Sequence, residues 1–215
     1  ARFTATIAFA IAAFSLALFT VPALAAPETP QVRQGHGAAA AAYSWDTGYR
    51  GLVSAFEYGL TDRLAVRGVW DEGRYDTWPD QSHQWSVSAK YGLSPNLALE
   101  AFAERGWDEV SSGNLYGFGL FTGQQFGPLY ASLRAQAIAY PFWGSYRWAD
   151  ELTAAGTYQL TRNLNLLGSV KATLDFGTSW SGSYGVEYQA TPQLAFQVNR
   201  FTGSDATQVG AELRF

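Results

Sequence analysis

Tyr158-Gln-Leu-Thr-Arg-Asn-Leu164, running on into Asn165-Leu-Leu-Gly-Ser-Val-Lys-Ala-Thr-Leu-Asp-Phe176, reads as a tight turn followed by a strand. Leu164, Leu166, Val170, Leu174 and Phe176 fall on one side of an extended chain, and Asn165, Ser169, Lys171, Thr173 and Asp175 on the other. That is the two-residue period of a β-strand with one apolar and one polar face. The turn frame recurs in Tyr58-Gly-Leu-Thr-Asp-Arg-Leu64, Tyr91-Gly-Leu-Ser-Pro-Asn-Leu97 and Tyr188-Gln-Ala-Thr-Pro-Gln-Leu194, with Tyr and Leu six apart and Ser or Thr opening a polar turn. Phe126-Gly127-Pro128-Leu129-Tyr130 supplies a contracted fifth turn. Five tight turns at 30 to 35 residue intervals predict five hairpins.

The alternation extends through the other runs. Leu64, Val66, Gly68 and Trp70 oppose Ala65, Arg67, Val69 and Asp71; Leu97, Leu99, Ala101 and Ala103 oppose Glu100, Phe102 and Glu104; Leu129, Leu133, Ala135 and Ala137 oppose Ser132, Arg134 and Gln136. A soluble sandwich with its apolar face inward shows the same pattern, and the aromatic residues separate the two. Tyr58, Tyr91, Tyr158 and Tyr188 carry the parity of the apolar face just before the tight turns, and Trp70, Trp85, Trp107 and Phe176 carry it toward the opposite ends. Two aromatic girdles around a band of Leu, Val and Ala match a lipid-facing wall. A soluble core has no reason to send its large rings to both ends. Polar, Gly- and Asp-rich segments between the turns, Asp76 to Gln84, Asp108 to Asn114, Pro141 to Glu151, Thr178 to Gly182 and Ser204 to Ala206, read as longer loops. Short turns at one end and longer loops at the other put the turns on the periplasmic side. The expected fold is all-β, a transmembrane antiparallel up-and-down β-barrel with both termini periplasmic.

Composition excludes much of the remaining chemistry. The 215 residues include no Cys, 8 Trp, 12 Tyr and 14 Phe, with 15% charged and a formal net charge of −4. The mean hydropathy of −0.10 averages two opposite faces. Without Cys there are no disulfides, zinc-cysteine sites, iron–sulfur clusters or thiol catalysts. Only His36 and His83 are present, so a three-histidine metal site is impossible, and neither metal nor cofactor is expected. An acidic chain lacks the basic footprint that nucleic acid requires. At the N-terminus, Arg2, the apolar run Phe3 to Val21, and Pro22-Ala-Leu-Ala25 read as a secretory signal peptide cut after Ala25 or Ala26. Its removal leaves 13 basic against 18 acidic residues. Residues 1–25 are thus signal, 26–37 (with the polar PETPQVRQGHG) a periplasmic lead-in containing His36, and 38–215 one barrel domain.

The chain stops at Gln208-Val209-Gly210-Ala211-Glu212-Leu213-Arg214-Phe215. Val209, Ala211, Leu213 and Phe215 share a face, and Gly210 stands five positions before the final Phe215. This ending resembles the closing strand of the bacterial outer-membrane β-barrel superfamily, with Leu213 where an aromatic is more usual. The resemblance covers about residues 38 to 215. It implies the outer membrane of a Gram-negative cell as location, lipid and lipopolysaccharide as surroundings, and recognition of Gly210, Leu213 and Phe215 by the barrel-assembly machinery. Five hairpins and Thr207 to Phe215 make eleven strands, and closure with both ends on one side demands an even number. Ala39 to Trp45, before an Asp46-Thr47-Gly48 loop, is the missing partner, although Ala is a poor strand former. The expected count is twelve, with ten as the alternative.

Function must then come from the interior. Parity places Glu57, Arg67, Asp71, Lys90, Glu100, Glu104, Arg134, Lys171, Asp175, Glu187, Glu212 and Arg214 there, with Gln136, Gln197 and Asn199. Twelve strands lie between filled eight-stranded barrels and the wide channels of sixteen or more. A polar, mixed-charge wall then suits a porin-like passive channel for small hydrophilic solutes, and seven acids against five bases give it a mild cation preference. The alternative is a closed structural barrel whose charges pair across the lumen. The third reading is a barrel-type lipid hydrolase or protease. Its only plausible base is His83, read as a loop residue near Ser82, Ser86 and Ser88, and nothing there has the spacing of such enzymes; the expectation is no enzyme. Asp76, Asp80, Asp108, Glu109, Asp150 and Glu151 read as solvated acids on the extracellular loops.

Overall fold

The computed structural model describes residues 29–46, 48–75, 81–108, 112–142, 145–175, 177–202 and 205–215. Twelve strands run in chain order: β1 (Gly37–Trp45), β2 (Tyr49–Gly59), β3 (Leu64–Tyr75), β4 (Gln81–Ser94), β5 (Leu97–Trp107), β6 (Ser112–Phe126), β7 (Leu129–Phe142), β8 (Ser145–Gln159), β9 (Leu164–Leu174), β10 (Thr178–Gln189), β11 (Leu194–Thr202) and β12 (Thr207–Arg214). Each pairs antiparallel with its neighbour in sequence, and β1 with β12, so the sheet is a closed up-and-down barrel. The expected twelve are present. β1 is a strand despite its Ala run because it is paired on both sides, Ala40 standing opposite Glu212 and Ala55. Both ends of the barrel domain meet at the short-turn end, where Gly37 N donates to Phe215 O at 2.7 Å and Phe215 N to Gly37 O at 2.9 Å.

The repeated turn frame has a hydrogen-bonding cause. Thr61 Oγ1 accepts from the backbone N–H of Arg63 (3.1 Å) and Leu64 (2.9 Å), and Thr191 Oγ1 from those of Gln193 (3.2 Å) and Leu194 (3.0 Å). Thr161 and Ser94 make the first of these bonds to Asn163 and Asn96. The hydroxyl supplies the acceptor that the tight turn lacks in its backbone. The contracted turn between β6 and β7 is built differently, on Gly127 at φ 59°. A Cβ there would meet nothing within 4 Å, so Gly127→Ala tests conformation alone. The left-handed penalty predicts a loss of about 1–2 kcal/mol, read as a lower urea midpoint of the refolded barrel.

The structure corrects the loop boundaries. Most of the segments read as long loops are strand: β4 begins at Gln81, β6 at Ser112, β8 at Ser145 and β10 at Thr178, and β7 continues to Phe142. Polar sequence signals contact with water, not loss of pairing, and backbone ladders continue as hairpin ribbons beyond the apolar band. His83 is therefore in β4, and Asp150 and Glu151 are in β8. The signal at residues 1–25, the girdle residue Phe176, and Asp76, Asp80 and Glu109 lie outside the described residues.

Candidate functional site

Cross-strand partners share a side of the sheet, so the register assigns every strand residue to one face. Asp71 (6% exposed) pairs with Val53 and Gln84, both buried, while its neighbour in sequence, Trp70, is 41% exposed and pairs with Ser54 and Trp85. Followed round the barrel, this places Glu57, Arg67, Asp71, Lys90, Glu100, Glu104, Arg134, Lys171, Glu187, Glu212 and Arg214 on the inner face, together with Gln136, Gln197 and Asn199. Asp175, one residue beyond β9, accepts a hydrogen bond from the hydroxyl of inward Tyr140. Tyr58, Tyr91, Tyr158, Tyr188, Trp70, Trp85 and Trp107 all stand on the outer face. Leu213 and Phe215 share that outer face, and Phe215 stacks on Phe56 at 6.3 Å.

The interior charges are paired along the wall. Lys90 Nζ lies 2.8 Å from Glu57 Oε1, Arg134 Nε 2.8 Å from Glu100 Oε2, and Lys171 Nζ 3.5 Å from Glu151 Oε1. Arg214 reaches Glu212 at 2.6 Å and Glu187 at 3.6 Å. Each of these named pairs joins neighbouring or next-neighbouring strands, or lies within one. Inward Arg67 on β3 also interacts electrostatically with Glu100 on β5, Arg134 on β7 and Glu212 on β12. Asn165 Nδ2 donates to Glu187 at 2.7 Å and Thr173 Oγ1 to Glu151 at 3.0 Å. Glu104, 1% exposed, stands beside Gln84 and Asp71 and makes no ion pair among the described residues.

Sequence reasoning missed two inward charges, Arg147 and Glu151, because both fell in a segment read as loop. Extending the period-two count back from Thr153 would have found them. They add one base and one acid, so the excess of two acids is unchanged. Glu151, expected on an exposed loop, is 4% exposed. His83 is corrected too: it faces outward, 5.5 Å from the Trp107 ring and 6.0 Å from that of Trp70. Ser82, Ser86 and Ser88 point to the other face of β4, so none of them is a nucleophile for this imidazole.

An interior cavity of about 70 Å³ is lined by Glu57, Arg67, Lys90, Glu100, Arg134 and Gln136, among others. At the short-turn end the lead-in does not hang free. Pro30 and Val32 are buried, and Lys90 Nζ donates to Thr29 O at 3.1 Å. Gly35 N donates to Gly59 O at 3.0 Å. Among the described residues no group of His, Asp and Glu has the geometry of a metal site.

No protein family model and no curated protein matches the chain in sequence. Solved structures match it in architecture. A KdgM porin in complex with disordered oligogalacturonate has a TM-score of 0.61 at 11% identity, covering 83% of this chain and 99% of that one. A NanC porin gives 0.58 at 8% identity over 82% and 98% of the two chains. The COG4313 outer membrane channel from Pseudomonas putida F1 gives 0.58 at 13% identity over 86% and 97%. Identities this low speak for the fold alone, and that fold is the one found in bacterial outer-membrane β-barrels.

Proposed function

We propose that the protein is a porin-like outer-membrane channel through which small hydrophilic solutes diffuse. The observation that carries this is the continuous charged inner face, on which the Lys90–Glu57, Arg134–Glu100 and Lys171–Glu151 pairs run along the wall. Water and ions crossing such a barrel find polar partners at successive levels. On this reading the outer tyrosines and tryptophans sit at the two bilayer interfaces, and the short turns and both termini face the periplasm. Export by a signal peptide and recognition of Gly210, Leu213 and Phe215 by the assembly machinery complete it, with lipopolysaccharide around the loop end. Two more acids than bases favour small cations over anions and disfavour polyanionic solutes such as the oligogalacturonate of the KdgM porin complex.

Refolded protein in planar bilayers is expected to show discrete conductance steps, with a reversal potential in a potassium chloride gradient displaced toward that of potassium. Complete absence of steps would sink the channel reading. The competing reading is a closed structural barrel, which the 1% exposure of both Glu104 and Glu187 favours, because such side chains leave water little room at their level.

A further inference from the structure

We propose that residues 29–34 are a plug seated in the short-turn mouth, and that the interior opens at that end only when they leave. This deepens the channel reading, since the plug would control the solute path. Three inward glycines form the seat, near the short-turn ends of β2, β4 and β6. A Cβ on Gly59 would strike the Arg33 carbonyl oxygen, one on Gly92 would touch Pro30 O at an ordinary 3.7 Å, and one on Gly123 would strike the Tyr130 hydroxyl, with Pro30 Cδ beside it at 3.2 Å. The segment thus fills the room beside Gly59 outright, packs on Gly92 and on the Gly123–Tyr130 pair, and reaches from β2 to β6 across the mouth. A polar lead-in with no seat would not bury Pro30 to below 2% exposure.

Among the described residues, polar attachments hold the segment at its two ends. Lys90 holds the Thr29 carbonyl at 3.1 Å while paired with Glu57 at 2.8 Å, and Gln34 N donates to Asp62 Oδ1 at 3.2 Å. At the stem, Gly59 exchanges backbone bonds with Gly35 (3.0 Å) and His36 (2.9 Å). Gly35 at φ 75° is a natural hinge. A signal cut after Ala25 or Ala26 would leave no more than Ala26, Pro27 and Glu28 before the segment. Lys90, which holds the segment, and its partner Glu57 also line the interior cavity, so the segment is anchored on that cavity's wall.

The absence of cysteine makes the test direct. Ala65 is inward, pairs with Gly59 and Lys90, and is 3% exposed. The Ala65→Cys chain, reconstituted in vesicles, would be labelled with a charged maleimide, with and without residues 29–34, and each rate divided by that of the urea-unfolded protein. Deletion is expected to raise the rate at least tenfold, and Lys90→Met in the intact segment several-fold. Equal rates in all three proteins would overturn the plug. Single-channel recordings on the same proteins separate this from the channel reading. Faster labelling without conductance from any of them supports the plug and removes the channel. Conductance with unchanged labelling overturns the plug and keeps the channel.

Discussion

Arg134→Met is expected to destabilise the refolded barrel by about 3–5 kcal/mol, the loss typical when one partner of a buried ion pair is removed. Arg134 meets Glu100 twice, Nε to Oε2 at 2.8 Å and Nη2 to Oε1 at 3.3 Å, and its guanidinium lies over the Phe121 ring at 4.7 Å. Both side chains of the pair are little exposed, at 11% and 13%. Methionine keeps much of the stem's packing but takes from the Glu100 carboxylate both of its contacts with Arg134. The double variant Glu100→Gln with Arg134→Met removes the carboxylate that lost this partner, and most of the lost stability should return. Urea titration in micelles, followed by tryptophan fluorescence, measures both. A loss below about 1 kcal/mol would mean that the pair behaves like one in bulk water, and the interior would have to be wide and wet at this level.

Val87→Arg probes the opposite face. Val87 is outward and 52% exposed, near the middle of β4, with Gly68 and Ala103 as cross-strand partners. If that face meets hydrocarbon, an arginine at this depth costs about 2–4 kcal/mol, read as a shift in the urea folding equilibrium into lipid vesicles. Gln81→Arg at the loop end of the same strand provides the contrast, with an expected cost of about 0–1 kcal/mol. Equal costs at the two positions would contradict a bilayer band centred on Val87.

Most of the barrel was legible because its determinants are local and repeated. Thr61, Thr161 and Thr191 mark turns through bonds to residues two or three positions on, and period-two parity sorts Lys171 from Val170 without any knowledge of partners. Even β1 could be inferred, since closure demands a partner that its alanines alone do not advertise. Three features were hidden for physical reasons. Strand ends such as Ser145 to Asp150 look like loop because Ser145, Arg147 and Asp150 interrupt the apolar signal, although Tyr146 and Trp148 meet Tyr116 and Phe118 on neighbouring β6 and Ala149 is buried. Which acid meets which base depends on the stagger of strands two apart, as with Glu57 and Lys90 across β3. The burial of Pro30 involves glycines 62 and 93 residues further along the chain, a relation that no local pattern encodes.

The pairing of β1 with β12 has a kinetic consequence. All other ladders join strands adjacent in sequence, so the sheet can grow hairpin by hairpin with small separations between partners. Only the contact of Ala38 with Arg214 and its neighbours joins the two extremes of the domain. Loop-closure entropy grows slowly with length, by about 0.6 kcal/mol per doubling, so the obstacle to sealing is less the length of chain than the curvature the open sheet must first acquire. The whole topological difficulty of folding is thereby concentrated in one alanine- and glycine-rich seam, where small side chains let two edges slide into register before they lock.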